Sequence, residues 1–540
     1  MPAVALILTL LAATAALNLA ARRLNVPHPV LLVIGGIVLA LTPGVPHARL
    51  EPDIVFLIFV PPLLYRAALN TSWRDFRGNL RTILLLAVGL VIVTIGVVAM
   101  VAHRLQPELA WPAAFLLGAI VAPPDPIAAT AVIGRLDTPR TIDTILEGEG
   151  LMNDATALIA YRMGVDAATS GTFAPAAAAW HFCVAAVGGI AVGLAVGALI
   201  AWLRRHLAHA PEVENTISLL TPFVAYIPAN RLGLSGVLAV VSVGLYLGRE
   251  GPRIVPPDTR LQAASMWAMT TFLLEGLIFI LIGLDLPLVT HDLPPGSLAA
   301  FTLSGVEISA AAIAVRMAWM FPGAYLPRRF DQWRGRDPHY PPWRHVLFVG
   351  WAGMRGADSL VIALALPLTV ANGQPFPGRS AIIYLTFIVI LVTLVAQGLT
   401  LTPLIDWLNL RGDRGGEEEE VVARLETARA GLARLDELIR GNPRLAPAAR
   451  ALRERHVHRV HRFESRRRHA RHDRDEAYRD TWRAARAEMI AAERRELVRL
   501  RDNGTIADDV MRRIQRDLDL EQLLVGASDE SLESSTDSPP

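Results

Sequence analysis

The sequence predicts an all-α polytopic membrane protein with about thirteen transmembrane helices and a charged, helical cytoplasmic tail. Hydrophobic residues make up 52% of the 540 residues, and the mean hydropathy is +0.38. Both values are more apolar than is usual for a water-soluble protein of this length. The apolar residues form long runs up to Pro403, after which charged and polar residues dominate. We therefore predict a transmembrane domain over residues 1–405, a charged helical tail over 406–525 and a disordered end over 526–540.

Thirteen apolar runs are long enough, or nearly so, to cross a hydrocarbon core of about 30 Å as helices. The first run has no basic residues at its start and no convincing cleavage site before Arg22 and Arg23, so we expect a retained helix rather than a signal peptide. The predicted spans are 2–20, 29–43, 52–70, 82–103, 110–133, 149–170, 178–203, 214–231, 234–249, 264–289, 298–326, 345–371 and 378–403.

The arginines predict the orientation, because the chain contains no lysine. One set of alternate loops carries seventeen arginines and the other set carries four. Basic residues concentrate on the cytoplasmic side of the membrane, so the N-terminus is predicted outside and the C-terminal tail inside.

The tail shows apolar residues at helical spacing among many charges. A solvated helical surface or dimer-forming helices would explain this pattern. Its segment 456–472 is rich in histidine and arginine. That segment could also sense protons or contact the anionic inner leaflet.

Two spans are predicted to break within the membrane. In the fifth, Pro123, Pro124 and Pro126 surround Asp125 and remove three amide donors. In the twelfth, glycines at 350, 353 and 356 surround Arg355. Broken spans in the two halves of a chain are typical of inverted-repeat transporters, whose binding site lies near the membrane midplane.

The sixth span begins in the acidic segment EGEGLMNDAT, residues 147–156. Buried charges are strongly destabilising unless paired, so we expect Glu149 to form an ion pair with Arg355. Asp154 then remains free to bind either a proton or a small hard cation. We place Glu147 at the cytoplasmic mouth. Further ionisable candidates are Glu275 in the tenth span and Arg66 in the third.

Four segments together resemble the monovalent cation:proton antiporter family, which includes bacterial Na⁺/H⁺ antiporters and animal Na⁺/H⁺ exchangers. The resemblance implies thirteen helices with crossing breaks in the fifth and twelfth, a homodimer and a mobile core domain. The family's Asn-Asp pair falls on Asn153 and Asp154, and its Asp-Pro motif begins at Asp125. An asparagine before the aspartate is similar to the electroneutral branch. The matching segments are GAIVAPPDPIAATAVIGRL, EGEGLMNDATALIAYR, EGLIFILIGLDLP and WAGMRGADSLVIALALP.

The chain also departs from the family pattern at four positions. Pro124 stands where many members have threonine, and Gly150 where many have serine. Arg66 occupies a position that is often acidic, and Asp358 one that is usually apolar. We hypothesise that Asp358 compensates the charge of Arg66.

The residues and the resemblance predict a secondary transporter rather than an enzyme. It would export Na⁺, or Li⁺ or K⁺, across the bacterial inner membrane in exchange for protons, for sodium and pH homeostasis. The expected cation ligands are Asp154, Asn153, Asp125 and the Pro124 carbonyl. We expect no cofactor and no nucleic-acid partner, only ions, membrane lipid and a second copy of the chain. The alternatives are a K⁺/H⁺ antiporter, an organic-anion transporter that uses Arg66, a channel and a membrane-embedded hydrolase.

Overall fold

A computed structural model describes residues 2–24, 28–42, 52–125, 139–170, 175–206, 210–291, 293–294, 296–335, 340–370, 374–410, 414–442 and 446–468, with scattered residues between 489 and 518. This part of the chain is helical, apart from turns, short extended segments and an isolated β-bridge between Thr369 and Pro375. The predicted all-α fold class is confirmed. One compact unit comprises Met1–Gly134 and Thr141–Leu410, and a second consists chiefly of Arg411–Pro540.

The first unit is built from helices that are mostly too apolar for a soluble protein. Their bounds are α1 (Pro2–Leu24), α2 (His28–Ala40), α3 (Pro52–Asn70), α4 (Trp73–Leu84), α5 (Val91–Leu105), α6 (Trp111–Val121), α7 (Arg140–Ser170), α8 (Pro175–His206), α9 (Pro211–Arg231), α10 (Gly236–Ile254), α11 (Pro257–His291), α12 (Leu298–Trp333), α13 (Trp343–Trp351), α14 (Ala357–Leu364) and α15 (Arg379–Leu408).

Helices α4 and α5 join through a π-helical turn, Leu85–Leu90, into a single span from Trp73 to Leu105. The helix therefore begins nine residues, about two and a half helical turns, before the predicted start of this span at residue 82. Ser72 caps this helix, because its hydroxyl accepts a 3.3 Å bond from the Asp75 amide. The first turns are rich in arginine, and long basic side chains can reach polar surroundings from a helix end. A search for apolar runs alone misses such turns.

Within the described residues, five helices are long and apolar enough to cross a membrane, and four shorter apolar helices accompany them. The total of thirteen spans stays a prediction. Many large apolar side chains on these helices face outward, as the surface of a protein in lipid requires. Several exposed tryptophans lie at helix ends, where the interface between lipid and water favours them: Trp73, Trp111, Trp333, Trp343 and Trp407.

Close helix crossings in this unit depend on glycine. Gly36 of α2 lies against the Ile280 carbonyl of α11, and Gly283 of α11 lies against the Val33 carbonyl of α2. A side chain at either glycine would collide with the backbone of the other helix, so the close approach at these two positions requires glycine. Small residues serve the same purpose in many transmembrane helix pairs.

The second predicted break is present, and the described part of the first span shows the helix ending where its break was predicted. Helix α6 ends at Val121, and the chain continues without helical structure through Pro124 and Asp125. The rest of the fifth span, including Pro126, lies outside the described residues. Helix α13 ends at Trp351, and α14 begins after a non-helical segment at residues 352–356.

The second unit contains two helices that pack against each other, α16 (Arg414–Gly441) and α17 (Ala446–Arg468). Leu425 and Ala428 of α16 form a small apolar core with Val460 and Phe463 of α17. This pairing agrees with the apolar spacing in the tail sequence. The predicted disordered end at residues 526–540 lies outside the described residues.

Candidate functional site

The two breaks meet through their backbones. The amide of Asp125, at the first break, donates a 2.7 Å hydrogen bond to the carbonyl of Met354, at the second. The Asp125 carboxylate lies against Gly356, where any side chain would overlap it. Because Asp125 is only 4% exposed, this contact places a carboxylate inside the protein beside the N-terminus of α14. The positive end of a helix dipole favours such a charge.

Asn153 of α7 holds the first break in place. Its amide nitrogen donates a 2.9 Å bond to the carbonyl of Pro124. The side chain is fully buried, and its amide oxygen has no hydrogen-bond partner among the described residues. A buried amide oxygen without a partner costs about 1–3 kcal/mol. Such an oxygen, next to a broken helix, is suited to receive a cation or a water molecule.

Asp154 follows directly on α7 and is 6% exposed. Among the described residues, the carboxylates of Asp358 and Asp125 lie near enough to repel its charge. The same two carboxylates act on Glu275 of α11, which is half-buried. In the described part of the chain, no three acidic, histidine or cysteine side chains form a group that could hold a metal ion. The carboxylates therefore share an electrostatic environment without forming a chelating cluster.

Glu149 is paired with Arg316 of α12, not with Arg355 as the sequence predicted. Arg316 donates two bonds to its carboxylate, that from Nη2 to Oε2 being 2.8 Å long. Both side chains are only 1% exposed. Arg316 also donates to the carbonyls of Gly350 and Val349, at 3.1 Å and 3.0 Å. The predicted ion pair was correct in type but named the wrong arginine.

Arg355 has a different set of partners. Its Nε donates a 3.0 Å bond to the Val121 carbonyl at the end of α6, and its Nη1 donates a 2.6 Å bond to the Gly353 carbonyl. Its backbone amide donates to the hydroxyl of Thr393 on α15, at 3.2 Å. Arg355 therefore caps the C-terminal end of one half-helix, where a positive charge is favourable. Arg355 therefore links the two breaks by hydrogen bonds to backbone carbonyls, where the sequence predicted a bond to the carboxylate of Glu149.

Glycine in the second break makes room for the other arginine. A side chain at Gly353 would overlap the guanidinium of Arg316. The glycines at 353 and 356 thus allow an arginine on one side and an aspartate on the other to approach the backbone. The need for both close approaches explains why the segment GMRG, residues 353–356, has a glycine at each end. Interruption of the helix alone would not specify these two positions.

Arg66 and Asp358 do not form the hypothesised compensating pair. The guanidinium of Arg66 on α3 donates a 3.4 Å bond to Asn70, one turn further along the same helix. Asp358 lies in the first turn of α14, and the charge near it is the carboxylate of Asp125, which repels rather than pairs with it. Both side chains are half-buried, and the described residues contain no ion pair between them.

Glu147 lies two residues before the buried ion pair and is half-buried. Its carboxylate accepts a 3.4 Å bond from the hydroxyl of Thr71, in the turn between α3 and α4. Its predicted position at a mouth of the transport path stays a prediction.

Comparison with known proteins identifies the family. A family model described as sodium/hydrogen exchanger, transmembrane, matches residues 7–407. The chain belongs to the sodium/hydrogen exchanger family. The predicted class of secondary cation/proton antiporter is thereby confirmed at the level of the family.

Named relatives of this sodium/hydrogen exchanger come from several bacteria. An uncharacterized Na⁺/H⁺ exchanger of Mycobacterium tuberculosis is 37% identical over 429 residues, covering 79% of this chain and 78% of the relative. A sodium, potassium, lithium and rubidium/H⁺ antiporter of Bacillus pumilus is 34% identical over 407 residues, covering 73% and 60%. A low-affinity Na⁺/H⁺ antiporter of Synechocystis is 33% identical over 419 residues, covering 76% of each.

A solved structure shares the fold. The sodium proton antiporter MjNhaP1 of Methanocaldococcus jannaschii matches with a TM-score of 0.57 and 20% sequence identity. The match covers 74% of this chain and 100% of that one. The architecture predicted from two broken spans is therefore that of a known transporter.

Proposed function

We propose that this sodium/hydrogen exchanger exports Na⁺, with Li⁺ or K⁺ as further substrates, in exchange for protons entering across the bacterial plasma membrane. This activity would serve sodium and pH homeostasis. The observation that carries the assignment of the site is the anchoring of Asn153 to the Pro124 carbonyl. That bond fixes an amide oxygen, which has no hydrogen-bond partner in the described part of the chain, beside a buried carboxylate, Asp154.

In the proposed mechanism, Asp154 alternately holds a proton and a cation. A charged carboxylate in a protein interior is unfavourable unless a cation or a proton neutralises it, so release of one favours binding of the other. The Asn153 amide oxygen, the Pro124 carbonyl and the Asp125 carboxylate are the nearby oxygens that could complete the cation's shell. Hard cations prefer oxygen ligands of these kinds.

The two buried arginines would keep the site rigid while the core domain moves. Arg316 ties α7 to the end of α13 through Glu149, and Arg355 ties the second break to the end of α6. A cation site needs ligands held to within about 0.5 Å by such supporting contacts. We assign these arginines to positioning and not to transport itself.

Several finer features of the proposal come from sequence reasoning. These are a homodimer, an external N-terminus, a cytoplasmic tail and the exchange of one proton for one monovalent cation. The bacterial origin of the relatives supports a plasma-membrane location. The carboxylate of Asp358 near Asp154 makes the stoichiometry worth measuring directly.

Proton flux in everted vesicles or proteoliposomes tests the proposal. Addition of Na⁺, Li⁺ or K⁺ to vesicles with an acidic lumen should release protons, which a pH-sensitive dye records. Asp154→Asn should abolish this response to every cation. Glu307→Gln is a suitable control, because Glu307 is exposed on α12. A response that survives in Asp154→Asn, or no response of the wild type to any cation, would refute the mechanism.

A further inference from the structure

A cavity of about 600 Å³ opens beyond the transport site, between α7 and α14 on one side and α3 and α9 on the other. Its described lining combines apolar residues with two arginines, two tyrosines and an asparagine, and contains no carboxylate. The residues are Leu57, Leu158, Tyr161, Arg162, Tyr226, Ile227, Asn230, Arg231, Ile362 and Ala365. Two fixed positive charges are unexpected beside the path of a cation.

The position of the cavity relative to the carboxylates follows from the helices. Leu158 lies four residues after Asp154 on α7, and Ile362 lies four residues after Asp358 on α14. Four residues span about 6 Å along a helix and return to nearly the same face. The cavity therefore begins about one turn from the proposed cation site.

The positive charge of the cavity is not neutralised by its own lining. Arg162 donates to the amide oxygen of Asn230 on α9, which is a neutral group. Arg231, the next residue along α9, also lines the cavity and is exposed. Arginine remains charged at every physiological pH. Its planar fork binds phosphate or carboxylate through two parallel hydrogen bonds.

We propose that this cavity binds an amphiphile with a phosphate head. The head would lie between Arg162 and Arg231, and its alkyl or acyl chain would contact Leu57 and Ile227. The volume is within the range of small-molecule sites, which are mostly apolar with a few placed polar groups. A tetrahedral phosphate can offer separate edges to two guanidinium groups from different helices. The ligand could be a phospholipid headgroup or a free alkyl phosphate.

An occupant at this position would block the approach to Asp154 from that side of the protein. It would also bridge α7 and α14, which carry the proposed site, to α3 and α9. We therefore expect bound phosphate amphiphiles to inhibit exchange. This consequence rests on the proposed function, whereas binding itself does not.

Binding is tested with the purified full-length protein by native mass spectrometry from a non-ionic detergent. The probes are dodecyl phosphate, dioctanoyl phosphatidylglycerol, inorganic phosphate and, as a matched zwitterion, dodecylphosphocholine. We expect one retained copy of a phosphate amphiphile, with affinity at least tenfold above that for dodecylphosphocholine. Binding of dioctanoyl phosphatidylglycerol alone would identify a lipid headgroup as the source. Binding of dodecyl phosphate, with competition by inorganic phosphate, would identify a free anion.

The arginine variants decide whether binding occurs in this cavity. Arg162→Gln and Arg231→Gln should each weaken binding at least fivefold. Arg104→Gln removes an exposed arginine that does not line the cavity, and it should bind like the wild type. Because Arg231 is exposed, its variant should fold even if Arg162→Gln does not. Equal binding of the phosphate and phosphocholine probes would overturn the proposal, as would wild-type affinity in Arg231→Gln.

Transport in proteoliposomes separates the two proposals. Dodecyl phosphate should inhibit Na⁺-driven proton flux in the wild type and in Arg104→Gln at concentrations that leave Arg231→Gln unaffected. If binding is found but flux is unchanged, the inferred blockade is wrong. If no cation evokes flux even without the probe, the proposed function fails while the binding site stands.

Discussion

Neutralising Glu149 should cost more stability than any other single loss of a carboxylate charge in the described helices. Glu149→Gln keeps the shape of the side chain but leaves Arg316 buried without its anion. Both groups are 1% exposed, and breaking such a pair from one side typically costs about 3–5 kcal/mol. The Gly350 and Val349 carbonyls still accept bonds from Arg316, so we expect a value toward the lower end, about 3 kcal/mol.

A double-mutant cycle in detergent measures the pairing directly. The free energy of unfolding is compared for Glu149→Gln, Arg316→Gln and the double variant, and a coupling of about 1–3 kcal/mol is expected for residues in contact. The chain offers a contrasting control in the ion pair between Arg81 and Asp331, whose side chains are 55% and 16% exposed. Asp331→Asn should cost less, about 1 kcal/mol, since water screens a pair with one exposed member.

The same cycle with Arg355 in place of Arg316 tests whether Glu149 is paired with the wrong arginine in the structure. The charge of Glu149 acts on Arg355 only at longer range, without a hydrogen bond between these two described side chains, and the charge of Arg316 acts on Arg355 as well. A stronger coupling of Glu149 to Arg355 than to Arg316 would show that the pairing in the structure is wrong. It would restore the partner that sequence reasoning chose.

Three other predictions concern the breaks and the carboxylates. Gly356→Ala should abolish exchange and lower the melting temperature, because its methyl group would overlap the Asp125 carboxylate at the first break. Gly78→Ala is the control: its methyl group would meet no described atom within 4 Å, so it should be neutral or slightly stabilising. Equal effects of the two variants on flux and melting temperature would contradict the packing argument. Asp358→Asn should raise the apparent KM for Na⁺ about tenfold, whereas Arg66→Gln should change it less than twofold. A strong coupling between the two variants would support the hypothesised ion pair between Arg66 and Asp358. Asn153→Ala should weaken cation binding at least tenfold in flux titrations and destabilise the first break by about 1 kcal/mol; unchanged cation affinity would remove Asn153 from the proposed site.

The backbone features of the site could be predicted from sequence because their causes are local. Proline at 123 and 124 removes amide donors wherever the segment folds, and the glycines around Arg355 permit a non-helical chain in any context. The end of helical structure after Val121 and the break at residues 352–356 were therefore predicted and found. The helix that begins at Trp73 was missed in part, because its first turns are helical but not apolar.

The choice of ion-pair partner could not be made in the same way. Two buried arginines, Arg316 and Arg355, lie in separate spans, and the sequence gives no distance from either to Glu149. The signal for Arg316 was its position inside the eleventh span, where an arginine needs a partner. The role of Asp358 was misjudged for a similar reason, since its neighbours depend on how α14 lies against the first break.

The arrangement of charge explains how a cation site can lie beside two buried arginines. Each arginine contacts the C-terminal end of a half-helix, Arg355 at α6 and Arg316 at α13, where the exposed carbonyls carry partial negative charge. Glu149 neutralises one of the two guanidinium groups, and carbonyls solvate the other. The carboxylates of Asp125 and Asp358 lie instead at or near the N-terminal end of α14, where the partial charge is positive. The half-helix ends thus separate the two signs of charge, so that the negative potential is concentrated near Asp154, where a cation has to bind. Reversing one sign at a helix end, for example by Arg355→Glu, should therefore be more damaging than removing it by Arg355→Gln, which flux and melting temperature can compare directly.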